Sequence, residues 1–320
     1  MRFTRRSLLP LAACALARPA LAQDFPGNNP VRIVVPFAPG GSLDILGRYY
    51  AQALTQRLGW RVSVDNRSGA GGNIGTEHVA RSKPDGTTML LTAENVAVAP
   101  GLFPDLSFDP LKDLEALALT ARIAHVLCVQ PSSPLRSFSE FAAAAKARPG
   151  DISVGNPGVG SAGHLASALL SEAGVPVTPV AFRGGGPLSQ ALTAGQIPAG
   201  FCSMPVALSL SRNGQVRPLA VTSPRRSIFM PEVESLAESH PAVGIDSWQA
   251  FFLPGGTPPA IAGLLHREIN ATTRLDPIQE WLKGQAFEPV LAPPTELAEI
   301  MQREVPRWRA VAQRVDLHTL

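Results

Sequence analysis

Two glycine-rich turns, Pro36-Phe37-Ala38-Pro39-Gly40-Gly41-Ser42-Leu43-Asp44 and Asn66-Arg67-Ser68-Gly69-Ala70-Gly71-Gly72-Asn73-Ile74-Gly75, constrain this chain more than any other feature. Each follows a β-branched run (Val31-Arg32-Ile33-Val34-Val35; Val62-Ser63-Val64) and precedes helical spacing, so each is a strand-to-helix corner. Glycine permits positive φ and lets a ligand approach main-chain N–H groups with no Cβ in the way. Those N–H groups and the positive end of the helix dipole favour a carboxylate or phosphate. One such corner is explained by tight turning alone; two in consecutive βα units predict a backbone-built anion pocket. Ser42 or Asp44 is the expected N-cap of the first helix.

Leu46, Tyr50, Leu54 and Leu58 recur at i+4 after the first turn, and Gly59 closes that helix. Strands are expected at 87–92, 123–129, 152–154 and 177–182, and helices at 137–148, 164–173 and 188–194. This alternation predicts an α/β fold with parallel sheets and helices on both faces. The tail after Pro254-Gly255-Gly256 reads as helical, and its last helix carries Leu297, Ile300, Met301, Val305 and Trp308 on one face. A mature chain of ~300 residues exceeds the usual single-core size, so two domains are expected. Proline-containing stretches at 130–134 and 223–224 bracket the inserted one. The expected division is 23–126 with 225–320 as a discontinuous first domain and 127–224 as the second. Ligands of open α/β sheets bind beyond the carboxyl ends of the strands, which places the site in a cleft between the domains.

The N-terminus carries Arg2, Arg5 and Arg6, an apolar stretch, and Pro19-Ala20-Leu21-Ala22, the pattern of an export signal over 1–22 cut after Ala22. Thr4-Arg5-Arg6-Ser7-Leu8-Leu9 also resembles a twin-arginine signal, and Leu11-Ala12-Ala13-Cys14 a lipoprotein box; lipidation of Cys14 is the less favoured alternative. Removing the signal leaves 24 basic against 25 acidic side chains, a charge of −1. A near-neutral chain without a basic run offers no footprint for nucleic acid. Two cysteines remain, Cys128 and Cys202, in apolar strand-like runs; buried free thiols are the simplest expectation, and an exported location also permits a disulfide.

Gly158-Val159-Gly160-Ser161-Ala162-Gly163 fits a dinucleotide loop in spacing, yet the strand after it ends at Phe182-Arg183 with no acidic residue for a ribose. Val159 stands where a nucleophile elbow at Ser161 requires glycine. The histidines lack metal-ligand spacing, and no phosphate loop of the G-x-x-x-x-G-K-S/T kind occurs. The chain therefore carries loops that hold an anion without machinery that transforms one, and neither enzyme activity, cofactor nor metal is expected. Arg183 ends a strand on the loop side and is either a ligand contact or a solvated cation. Asp44 and Asn73 are expected to brace their own loops.

PFAPGGSLD (36–44), NRSGAGGNIG (66–75), KPDGTTMLL (83–91), GVGSAGHLA (158–166), FRGGGP (182–187), AGQI (194–197), RPLAVTSPRRS (217–227) and WQAFFLPGGTP (248–258) together resemble the Bug-type receptors, extracytoplasmic solute-binding proteins of tripartite tricarboxylate transporters. The segments occur in family order over almost the whole mature chain. The resemblance implies a two-domain periplasmic binding protein fold of type II, closing on a small carboxylate through main-chain groups and ordered water. Carried over by position, the first-domain contacts are Phe37, Ala38, Gly40, Gly41, Ser42 and Asp44, with Ala70, Gly71, Gly72 and Thr92. The second-domain contacts are Asn156, Gly160, Ser161, His164 and Arg183. The implied partners of this monomer are a carboxylate and the membrane permease subunits, or alternatively a sensor kinase, and the implied location is the periplasm. Pro198 and Cys202 stand where the family commonly has aspartate, which weakens an amino-acid ligand. Arg183 stands where it often has lysine, so a dicarboxylate or an aromatic acid is favoured.

Overall fold

A computed structural model describes residues 25–245 and 247–314. The export signal and Cys14 lie outside the described residues. β1 (Val31–Val35) leads through the first glycine turn into α1 (Ser42–Leu58), and β2 (Val62–Asn66) through the second into α2 (Asn73–Ala80). β3 (Thr88–Ala93), α3 (Asn95–Leu102) and β4 (Leu114–Ile123) follow. Past Ala124 the chain builds β5 (His125–Val129), α4 (Phe138–Ala147), β6 (Ser153–Asn156), α5 (Ala162–Glu172), β7 (Thr178–Ala181) and α6 (Gly185–Thr193). Next come β8 (Ala199–Ser203), α7 (Met204–Arg212), β9 (Arg217–Val221), β10 (Glu234–Ser235) and α8 (Leu236–Ser239). The return comprises β11 (Ser247–Pro254), α9 (Pro259–Thr273), α10 (Asp276–Gly284), β12 (Glu288–Pro289) and α11 (Pro294–Arg314).

The strands form two six-stranded sheets, β12-β4-β11-β3-β1-β2 and β10-β9-β5-β8-β6-β7. The βαβ units are parallel as expected, but the sheets are mixed: β11 runs antiparallel to β3 and β4, and β5 antiparallel to β8 and β9. Each of these two strands arrives from the other sheet and starts beside the cleft, so it runs against neighbours that end there. The continuous strand expected over 123–129 is broken at Ala124, where the chain changes sheets. Residues 225–245, expected in the first domain, include β10, which pairs with β9, so re-entry into the first sheet comes only at β11. The two crossings lie side by side, since Ile123 and Ser247 are register partners.

All eight residues of β11 are buried. Such a strand shows no polar alternation because both faces are covered. Phe251 and Leu253 join Leu46, Tyr50, Leu265 and Ile269 on one face, while Trp248 and Phe252 join Leu297, Ile300 and Val305 on the other. The i+4 stripe of α1 packs as its spacing predicts: Leu46, Tyr50 and Leu54 are fully buried, and the Tyr50 ring meets Phe251 edge-on at 5.3 Å. The apolar face of α11 continues through Trp308 and Val311 into the core of the second sheet beside Leu165 and Leu169. The C-terminal helix therefore binds to both sheets.

Phe251→Ala is expected to lower the free energy of unfolding by about 3–5 kcal/mol, because the ring sits under α1 and α9 with no neighbour free to fill the void. Denaturant titration, with an unchanged slope, measures that loss.

Candidate ligand-binding cleft

A cavity of about 50 Å³ lies between the sheets, lined by Phe37, Ala38 and Gly41 to Asp44, the corner Ala93 to Asn95, His125, Pro157, Ser161, Gly184, Gly185, Ser203, Ser247 and Gln249. Its two walls meet backbone to backbone. A Cβ built on Gly41 would stand 3.5 Å from the Gly185 nitrogen, and one on Gly186 only 3.0 Å from the Pro39 carbonyl oxygen. Glycine at these positions is what lets the walls come together.

Several helices begin around this cleft, and their first N–H groups have different fates. Gly41, not Ser42 or Asp44, is the N-cap of α1, and no side chain caps that end. Asp44 instead turns back: its carboxylate accepts the Gly40 N–H at 3.1 Å and pairs with Arg48 at 3.0 Å. Burial alone would raise the Asp44 pKa, but hydrogen bonds from Arg48 and Gly40 and the Arg48 charge hold it below the ordinary value. Gly184 begins α6 with no side-chain cap either. α3, whose N-cap Glu94 and first residue Asn95 line the same wall as α1, also lacks a side-chain cap, whereas the starts of α2 and α7 are closed from within. At α2, the Gly72 and Asn73 N–H groups go to the Gly69 and Ala70 carbonyls, as residues 70–72 form one tight turn. At α7, Met204 donates to the Ala124 carbonyl at 2.9 Å and Pro205 has no N–H to give.

The start of α5 holds an anion that belongs to the chain. The Glu94 carboxylate, 3% exposed, accepts the Ala162 N–H at 2.7 Å through Oε1 and the Ser247 hydroxyl at 2.6 Å through Oε2. Burial raises its pKa, and these hydrogen bonds oppose the rise. The rest of the 158–163 loop is also filled: Gly158 donates to Asn156 Oδ1 and Gly160 to His164 Nδ1, both at 3.2 Å. A loop whose N–H groups are spent in this way offers no cradle for a nucleotide phosphate.

Of the residues expected at the site, Phe37, Ala38, Gly41, Ser42, Asp44 and Ser161 line the cavity. Gly40, Ala70, Gly71, Gly72, Thr92, Asn156, Gly160 and His164 are not part of the lining, and Gly40 and Ala70 are exposed. Gly71 is held by Asn95 Nδ2 through its carbonyl, and Thr92 donates to Asn95 Oδ1 at 3.0 Å. Arg183 is exposed and outside the lining, while its neighbour Gly184 reaches the cavity. Neither lysine nor arginine lines the cavity.

Glu94, Asn95, His125, Ser203, Ser247 and Gln249 were not anticipated. Their signal was faint: single polar residues at the ends of apolar strands, where a buried polar group is the informative exception. His125 is neutral, since burial lowers its pKa to about 4. His164 behaves alike, with its pKa also lowered by burial to about 4. Cys128 and Cys202 are buried and free. Among the described residues no group of three or more histidine, cysteine or acidic side chains could hold a metal ion.

A family model for the tripartite tricarboxylate transporter family receptor matches residues 46–317. Protein BugT of Bordetella pertussis is 34% identical over 307 residues, covering 95% of this chain and 94% of that relative. Two solved structures are similar throughout. R. palustris Rpa4515 with adipate has a TM-score of 0.85 at 30% identity, covering 91% of this chain and 98% of its own. MatC from Rhodopseudomonas palustris with bound malate has a TM-score of 0.84 at 29% identity, covering 90% and 100%.

Two outcomes follow from this geometry. Gly186→Val is expected to leave the fold intact and to weaken carboxylate binding at least ~10-fold by calorimetry, since its side chain would hold the walls apart. Acid is expected to destabilise the protein between pH 6.5 and 4, because the unfolded chain then binds protons that neutral, buried His125 and His164 refuse. Denaturation midpoints should fall across that window and fall less in His125→Gln.

Proposed function

Because the chain belongs to the tripartite tricarboxylate transporter receptor family, we propose that it is an exported, periplasmic receptor that captures a small organic acid, a dicarboxylate before an aromatic acid, and hands it unchanged to the membrane permease subunits. The observation that carries this reading is the pair of uncapped helix starts, α1 at Gly41 and α6 at Gly184, on opposite walls of one cavity. Each start presents first-turn N–H groups and the positive end of a helix dipole, which together favour an anion. Two such starts facing one another suit an acid with a carboxylate at each end. The relatives solved with adipate and with malate support a dicarboxylate. No cation lines the cavity, so binding draws on main-chain donors and bridging water, which serve nearly as well as direct contacts.

The paired crossings, at 123–125 and at the entry to β11, are the natural hinge of the proposed receptor, and ligand bound by both walls favours the closed form. No helix among the described residues is long and apolar enough to cross a membrane.

Thermal melting of the purified protein against mono-, di- and tricarboxylates, amino acids and aromatic acids tests the proposal, because a ligand of the folded state alone raises the melting temperature. Short dicarboxylates should raise it most, and the acid should be recovered chemically unchanged. A flat response to every carboxylate, or conversion of the bound acid, contradicts the receptor reading.

A further inference from the structure

The polar side chains of the cavity differ in one respect: nearly all are occupied by other protein groups, and a few are not. Both Glu94 oxygens accept hydrogen bonds, Asp44 is tied to Arg48 and Gly40, and Ser161 accepts the His164 N–H. Four buried atoms of lining residues accept or donate no hydrogen bond; Asp44 Oδ1 is still ion-paired with Arg48 at 3.0 Å, which leaves Gln249 Oε1, His125 Nδ1 and Ser203 Oγ without a protein partner. Their residues are 2%, 7% and 6% exposed, and all line the same cavity. They come from different elements at the crossing: Gln249 from β11, His125 from the start of β5, and Ser203, its register partner, from the end of β8. Gln249 is held in place from its other end, where Nε2 donates to Ser42 Oγ at 2.9 Å.

A buried polar atom without a partner is costly, and the cost falls on whichever ligand fails to meet it. The two open helix starts account for carboxylates and leave these atoms unmet. Resting on the receptor reading above, we infer that Gln249, Ser203 and His125 form a second, neutral pole of the pocket that selects acids bearing a hydroxyl group on the carbon chain. A hydroxyl both donates and accepts, so it can give its proton to Gln249 Oε1 while receiving one from Ser203 or the imidazole. An ammonium fits poorly. It would face two positive helix ends, and both carboxylates of the cavity are already engaged. A bare methylene leaves every one of the three atoms unpaired.

Calorimetric titration with acid pairs that differ by one hydroxyl tests this: lactate and propionate, malate and succinate, 2-hydroxyadipate and adipate. In the best-bound pair the hydroxy acid should bind at least ~10-fold tighter than its parent, since a site built for a hydroxyl strongly rejects the analogue lacking it. Aspartate should bind more weakly than malate. Ser203→Ala, a small change expected to fold, should bring the ratio within the pair toward one by weakening the hydroxy acid more than its parent. Gln249→Met should do the same. Equal binding of both members of every pair, with clear affinity for each, overturns the hydroxyl pole and leaves the carboxylate receptor standing. Absence of binding by all of these acids overturns both.

Discussion

A helix that begins without a side-chain cap leaves N–H groups in search of an acceptor, and in this protein two such beginnings face each other across one cleft. The glycines that create them do two jobs. They remove the Cβ atoms that would separate the walls, and they decline to supply the oxygen that serine, threonine or aspartate would offer as a cap. Asp44 could have filled the α1 start from within. It is drawn back by Arg48 and the Gly40 N–H instead, which keeps that start available.

The contrast with α5 makes the same point from the other side. There Glu94, carried on the first sheet, is seated at a helix start of the second and is steadied by Ser247 on the returning strand. It lies next to the crossing between the sheets and so ties the two together beside the cleft. A buried carboxylate in such a place requires its donors, and their geometry exists only when the walls are near one another. One sheet's anion in the other's helix start is the same interaction that, in the function proposed above, the open helix starts extend to a ligand.

Much of this was legible in the chain. The i+4 stripe of α1, Gly59 as its end and the buried face of α11 followed from spacing, because helices advertise their packed side at a fixed period. The first glycine turn was legible for the same local reason. What escaped was long-range. Nothing near Val62 or Ile152 indicates that β11 and β5 run antiparallel, since direction there is set by a chain returning from another sheet. The second glycine turn looked equivalent to the first, yet its N–H groups close on Gly69 and Ala70, a distinction written in three left-handed residues at 70–72. Gln249, His125 and Ser203 sit inside apolar strands far apart in sequence, and only the fold brings them to one cavity.

A crystal structure of the protein grown with malate or adipate tests the central claim most directly. The account predicts one carboxylate of the acid within hydrogen-bond distance of the first-turn N–H groups of α1, directly or through one ordered water, and the other at the start of α6. An acid held by Arg183 or another surface cation, with both helix starts untouched, would contradict it.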